Sequence, residues 1–191
     1  GRAPERSFHV ADDEWHPEKL ERQMSVMREH GAPQLTAHEK GFDGVAWLKF
    51  SGPARRSPIR RRAIQMSNCA PISTVVIRRD AIKYGFTPAY AGEDYVFVAA
   101  NVLSGAPAVL LHQVLARAHK EAFGAGGLSG RLHAMQLGEI RARNFLLEEG
   151  LMTRGEYIVV LAWSLVKYCR RLLIVSGRRI WNRFAAETAK A

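Results

Sequence analysis

Residues 146–157, with the sequence LLEEGLMTRGEY, carry the clearest local structure signals in this chain. The segment before it, from Ser129, carries apolar residues at helical spacing. Gly150 supplies a stop for that helix, because glycine adopts the left-handed conformation without a steric penalty. Leu151 is then placed to fold back onto Leu146, as in a Schellman motif. The stretch therefore predicts a helix that ends at Gly150.

The second half of the same stretch predicts the start of the next helix. Thr153 and Glu156 have the spacing of a capping box, in which each side chain bonds the other residue's backbone N–H. Met152 and Tyr157 occupy the positions of a hydrophobic staple. Because the connection is tight, we expect two long antiparallel helices, the second running to Val175 before a break at Gly177.

Helix start and stop signals recur upstream. They predict helices that open near residues 17, 37, 58, 74, 93 and 107, in addition to those near 129 and 154. Thr36 and Glu39 form a further capping-box pattern. Residues 72–77 are β-branched and compatible with a strand, but Gly85 is a plausible stop and favours a helix through Tyr84. The sequence therefore predicts a single-domain, all-α protein built from consecutive antiparallel helical hairpins.

Three of these hairpin ends share a sequence motif, in residues 27–33, 81–88 and 146–153. In each, a helix closes on Gly and a Pro, or Thr153 in the third, precedes the next helix. Glycine takes the left-handed stop, and proline cannot continue a helix. This motif resembles the end of a pentatricopeptide (PPR) repeat. The resemblance implies a PPR/TPR-like α-solenoid over most of residues 17–176.

The PPR resemblance also carries functional expectations. PPR proteins mostly bind single-stranded RNA and read one base per repeat. Near the reading positions this chain has His38, Tyr95 and Val160, none of them the usual Asn, Ser or Thr. The resemblance therefore implies a repeat surface that binds protein rather than bases. It points to a peripheral subunit on the F1 part of a mitochondrial ATP synthase.

Composition excludes several classes of protein. The chain has 191 residues, of which 47% are hydrophobic, and a net charge of +10 from 28 basic and 18 acidic residues. Two cysteines cannot build a disulfide scaffold. The longest apolar run, residues 157–166, is too short for a transmembrane helix. A basic, arginine-rich chain attracts nucleic acid, anionic lipid or acidic protein surfaces. The chain also begins with Gly1 rather than Met, which fits either a removed leader or a fragment, and with the basic composition we expect a location on the mitochondrial matrix side.

One cluster of basic residues is the candidate site. Residues 51–71 read as a basic insertion, rich in Gly and Pro, with a short helix from Ser57 and Pro58. Like charges this close repel each other unless they are solvated or neutralised, so a packed role within the chain is not expected. Arg side chains pair with carboxylates and phosphates through a planar fork. The predicted partner-binding residues are Arg55, Arg56, Arg60, Arg61 and Arg62.

The domain organisation and function follow from these patterns. We predict an arm at 1–16, a helical-repeat domain at 17–176 with the insertion at 51–71, and a tail helix at 177–191. The glycine-rich run 124–130 lacks the Gly-Lys-Ser/Thr of a phosphate loop, and no nucleophile–base pair or metal-ligand spacing emerges.

The expected protein is therefore a non-enzymatic accessory or scaffold subunit without a cofactor, bound to other subunits of a large assembly. The alternative is a mitochondrial RNA-binding protein, either a short PPR factor or a mitoribosomal protein.

Overall fold

The centre of the protein is a curled mixed sheet. The computed structural model describes residues 4–10, 13–29, 31–42, 47–87, 92–118 and 128–188. The described strands are β1 (Glu5–Ser7), β2 (Asp13–Trp15), β3 (Leu35–Phe42), β4 (Arg56–Pro58), β5 (Val76–Arg78) and β6 (Ala108–Ala118). The described helices are α1 (Lys19–Met27), α2 (Arg61–Met66), α3 (Glu93–Leu103), α4 (Leu128–Glu148) and α5 (Arg154–Thr188). Short 3-10 turns at Ile72–Thr74 and Arg79–Ala81 flank β5.

The longest strands, β3 and β6, run parallel at the middle of the sheet. The strand order is β1-β5-β3-β6-β2. Strand β4 lies off this path and also pairs with β6, at a different part of β6 from β2. All pairings other than β3 with β6 are antiparallel. Register shifts on either side of Glu39 mark an irregularity in β6, where residues 112, 113 and 115 have no partner in β3. The length of β6 allows one strand to hold both β4 and β2.

The main core lies between one face of the sheet and helices α2, α3 and α4. Leu35 and Ile77 from the sheet meet Ile64 of α2, Phe97 of α3 and Leu146 of α4, and all five are almost fully buried. A smaller apolar cluster of Val26, Leu111 and Leu115 lies under α1 on the other face. Burial of this apolar surface is the main stabilising term.

The prediction of an all-α solenoid is wrong, because strands replace three of its helices. Residues 36–42 lie in β3 rather than in a helix, so Thr36 and Glu39 form no capping box. Residues 76–78 form β5. The helix predicted to open near residue 107 and to run to Phe123 is also replaced, because residues 109–118 lie in β6. The rest of that helix, like the run 124–127, lies outside the described residues. The mixed sheet also contradicts the resemblance to PPR proteins. Nothing in the fold supports the predicted mitochondrial location or the predicted role in an ATP synthase.

Other segments also differ from the prediction. The N-terminal segment contributes β1 and β2 to the sheet instead of forming a free arm. In the basic insertion, β4 precedes the short helix, which begins at Arg61 rather than near Ser57. Helix α5 continues through Gly177 to Thr188 without the expected break.

The α4–α5 hairpin confirms the prediction made from residues 146–157. Gly150 has a φ of 67°, and the N–H groups of Leu151 and Gly150 donate to the carbonyls of Leu146 and Leu147, as in a Schellman motif. The Thr153 hydroxyl accepts from the Glu156 N–H at 3.2 Å, and the Glu156 carboxylate accepts from the Thr153 N–H at 2.8 Å. Helices α1 and α3 also lie close to their predicted positions.

Candidate functional site

The five predicted arginines lie on a segment that the sheet holds in place. Strand β4 pairs with β6 and carries Arg56, with Arg55 just before it. The Arg55 carbonyl accepts from the His112 N–H at 2.8 Å. Arg60 directly precedes α2, whose first two residues are Arg61 and Arg62. The cluster is therefore fixed to the sheet rather than carried on a free loop.

Two of the five arginines already bind carboxylates of this chain. Arg56 pairs with Glu29 across 2.6 Å. Arg61 donates to both carboxylate oxygens of Glu156, at 2.8 and 3.1 Å, and to the Leu151 carbonyl at 2.6 Å. The hydrogen bonds from Arg61 and from the Thr153 N–H hold the pKa of Glu156 far below its usual range. Both side chains stay exposed, so these pairs neutralise two of the five charges without packing them into the core.

The other three arginines remain available to a partner. Arg55, Arg60 and Arg62 are exposed. Their guanidinium groups have no hydrogen-bond or ion-pair partner in the described part of the chain. They keep the full set of donors with which Arg recognises carboxylate or phosphate.

An open cavity of about 580 Å³ lies beside this cluster. Arg56, Arg61 and Glu29 contribute charge to its lining. The other lining residues are apolar or glycine: Gly31, Ala32, Pro33, Pro58, Ile59, Val102, Leu103, Gly105, Ala106, Pro107, Ala108 and Val109. The lining therefore combines apolar contact surface with guanidinium donors, and it includes no aromatic side chain on which a base would stack.

A second group of ionisable side chains is buried near α1. Lys40 of β3 lies 2.6 Å from the Asp13 carboxylate and donates to the Ser73 hydroxyl at 3.2 Å. Lys19 lies 4.0 Å from the centre of the Trp15 ring, and only 1% of its surface is exposed. These contacts join β2, α1 and β3 through a polar network.

Burial changes the pKa of two bases in this second group. Desolvation lowers the pKa of Lys19 to about 8 and that of His38 to about 3. The His38 Nδ1 donates to the Glu39 carbonyl at 2.7 Å, while its Nε2 is buried without a partner among the described residues. Protonation of Nε2 would bury an additional charge near Lys19 and Lys40, so His38 stays neutral over the ordinary pH range.

Cys69 does not have the environment of a catalytic cysteine. It lies with His38 and Lys40 along an open cavity of about 460 Å³. Burial raises the pKa of the Cys69 thiol, whereas reactive cysteines have a lowered thiol pKa. The second cavity therefore contains no thiolate nucleophile at neutral pH.

Sequence reasoning missed the buried group because it assigned the wrong secondary structure. Thr36, His38 and Lys40 alternate along β3 with Ala37, and this two-residue period is the signal of a strand. Read as a strand, the segment would have placed His38 and Lys40 on one face of the sheet. The pairing of Lys40 with Asp13 joins residues 27 positions apart and has no local signal.

Metal sites, membrane-spanning helices and related proteins do not assign a function to the described residues either. In the described ranges, no group of three or more His, Cys, Asp or Glu residues is arranged to hold a metal ion. None of the described helices combines the length and the apolar character needed to cross a membrane. No protein-family model and no curated protein matches this chain.

Proposed function

We propose that the protein is a non-enzymatic accessory subunit that binds an acidic segment of another protein. The single observation that carries the proposal is the set of three unpaired guanidinium groups, Arg55, Arg60 and Arg62, on a sheet-held segment whose other two arginines line a largely apolar cavity. Arg forks bind carboxylates with two parallel hydrogen bonds, and the adjacent apolar lining offers contact area for aliphatic side chains.

Two features favour a protein partner over RNA. The cluster already binds carboxylates: Arg56 pairs with Glu29 through one hydrogen bond, and Arg61 binds Glu156 in bidentate geometry. Single-stranded RNA is also bound largely by stacking on aromatic rings, which the cavity lining lacks.

The support for a non-enzymatic role comes from the state of the candidate catalytic groups. His38 is held neutral and is almost completely buried, so it is a poor proton carrier at neutral pH. The raised thiol pKa of Cys69 disfavours nucleophilic attack.

The test compares two probes with matched charge. A fluorescent glutamate- and leucine-containing peptide and a single-stranded RNA oligonucleotide of equal net charge are titrated with the full chain and followed by anisotropy. The variant Arg55→Gln/Arg60→Gln/Arg62→Gln should weaken peptide binding roughly tenfold or more, because it removes three charged donors. Its melting temperature should stay close to that of the unmodified protein, since none of the three side chains is paired.

A control variant separates the site from net charge. Arg6→Gln/Lys49→Gln/Arg141→Gln removes the same charge from exposed residues that lie outside the arginine-bearing segment 55–62. It should retain most of the peptide affinity. Equal loss in both triple variants would reject a localised site. Tighter binding of RNA than of peptide, lost in the Arg55/Arg60/Arg62 variant, would replace the proposal with the RNA-binding alternative.

A further inference from the structure

One face of α5 is apolar and uncovered. The opposite side of the helix packs against α4, where Val160 and Ser164 are buried. On the uncovered face, Val159, Val166 and Leu173 are 61, 58 and 74% exposed. They follow one another at intervals of seven residues, so they form one line along the helix.

Small residues complete a heptad pattern on this face. Gly155, Ala162, Cys169 and Ser176 are exposed and also recur every seven residues, offset by three or four from the large ones. A Cβ built at Gly155 meets no atom within 4 Å, so the space beside it is open. We call the two lines together the α5 seam: Gly155, Val159, Ala162, Val166, Cys169, Leu173 and Ser176. The alternation matches the a and d positions of a coiled coil.

We propose that the α5 seam binds the α5 seam of a second copy of this chain in an antiparallel, two-fold symmetric pair. In this arrangement each large residue of one copy lies against a small residue of the other. The layers are Val159 with Cys169, Val166 with Ala162, and Leu173 with Gly155, each occurring twice by symmetry. Large-against-small layers allow two helices to approach closely without gaps or clashes.

The residues beside the seam are also complementary to themselves in this register. Arg170 of one copy lies near Glu156 of the other, so it adds a second positive charge beside the carboxylate that Arg61 binds at each end. Trp163, which is 45% exposed, lies next to Trp163 of the second copy at the centre. One short segment of sequence is therefore complementary to a second copy of itself in side-chain size, charge and aromatic character.

A parallel pair of α5 helices lacks these matches. It would set Leu173 against Leu173 and Gly155 against Gly155, which alternates crowded and empty layers. It would also bring the basic halves of the two helices side by side, with Lys167, Arg170 and Arg171 in each. The antiparallel pair instead sets each basic half beside the less charged half that begins at Arg154.

The mass of the protein in solution tests the pairing. Sedimentation equilibrium at micromolar concentration should give twice the chain mass of 21.4 kDa. Leu173→Glu places a charge in the seam and should weaken the pair roughly tenfold or more. Leu48→Glu alters another residue that is 63% exposed but lies outside α5, and it should leave the mass unchanged. At concentrations low enough to dissociate the pair, both variants should melt at the temperature of the unmodified protein, since both side chains are exposed.

Disulfide trapping tests the orientation. In a Cys69→Ser background, Val159→Cys should cross-link to Cys169 of the second copy under a mild thiol oxidant, because the two residues share a layer. Cys169 alone should not cross-link, since an antiparallel pair separates the two copies of Cys169 by several turns. Ile174→Cys, on an exposed position outside the seam, is the matched control.

Three results would overturn the proposal. A monomeric mass at all accessible concentrations would reject the pairing. A dimer that cross-links through Cys169 alone, and not through Val159→Cys, would reject the antiparallel register. A monomer that co-sediments with anionic vesicles, and loses this with Leu173→Glu, would identify the seam as a lipid-binding face instead.

Discussion

The buried imidazole of His38 should make the stability of the protein depend on pH. Its pKa is about 3 in the folded state and 6.5 as the reference value for an unfolded chain. The unfolded state therefore binds the proton more readily, and stability falls as the pH drops from 6.5 towards 3. The full difference corresponds to roughly 5 kcal/mol in the free energy of unfolding.

Urea denaturation at a series of pH values measures this effect. The variant His38→Gln keeps a donor for the Glu39 carbonyl but cannot take up a proton. It should lose less stability than the unmodified protein between pH 6.5 and the acid limit. His9→Gln, at an exposed position, is the matched control. Parallel pH profiles for the unmodified protein and His38→Gln would show that protonation of His38 does not govern the acid response.

At the scale of single residues, the sequence predicts which side chains form the candidate site but not which of them are paired. The composition of residues 51–71 was enough to select the five arginines. It could not separate the paired from the unpaired ones, because Arg56 binds a residue 27 positions away and Arg61 binds one 95 positions away. Such partners depend on the tertiary fold and leave no local pattern.

The turn between α4 and α5 gives a prediction at the scale of one element. Thr153→Ala removes the hydroxyl that accepts from the Glu156 N–H and should cost about 1 kcal/mol in the free energy of unfolding. Thr153→Ser keeps the hydroxyl and should cost much less. Gly150→Val should cost more than Gly150→Asn, since the space around Gly150 is open and only the positive φ resists a side chain. Thermal melts that rank these variants differently would contradict the cap geometry.

The same element scale explains why the predicted fold class was wrong. The hairpin carries its own signals, since its caps join residues within six positions of each other. Strand β6 has no such local signal: its apolar residues fit a helical period as well as a buried strand, and only its pairing with β2, β3 and β4 decides between them. Strand β3 was misassigned because Thr36 and Glu39 imitate a capping box. Short strands such as β1 and β4 depend on partners distant in sequence.

At the scale of the whole molecule, the core joins the sheet to the helical hairpin. Leu35 and Ile77 of the sheet belong to the same buried cluster as Leu146 and Met152 of the hairpin. Because this cluster is continuous, neither part can lose its packing without exposing apolar surface of the other. We therefore expect one cooperative unfolding transition, as in a single folding unit.

Two probes that report on different parts of the protein check this prediction. Far-UV circular dichroism at 222 nm follows chiefly α4 and α5, the two longest helices among the described residues. In the variant Trp163→Phe/Trp181→Phe, the remaining fluorophores are Trp15 of β2 and Trp47, whose indole N–H donates to Glu14 at 3.1 Å. The denaturation midpoints from the two signals should coincide, because loss of the shared core releases both regions together. A helical signal that disappears at lower denaturant than the fluorescence change would show that the hairpin unfolds separately from the sheet.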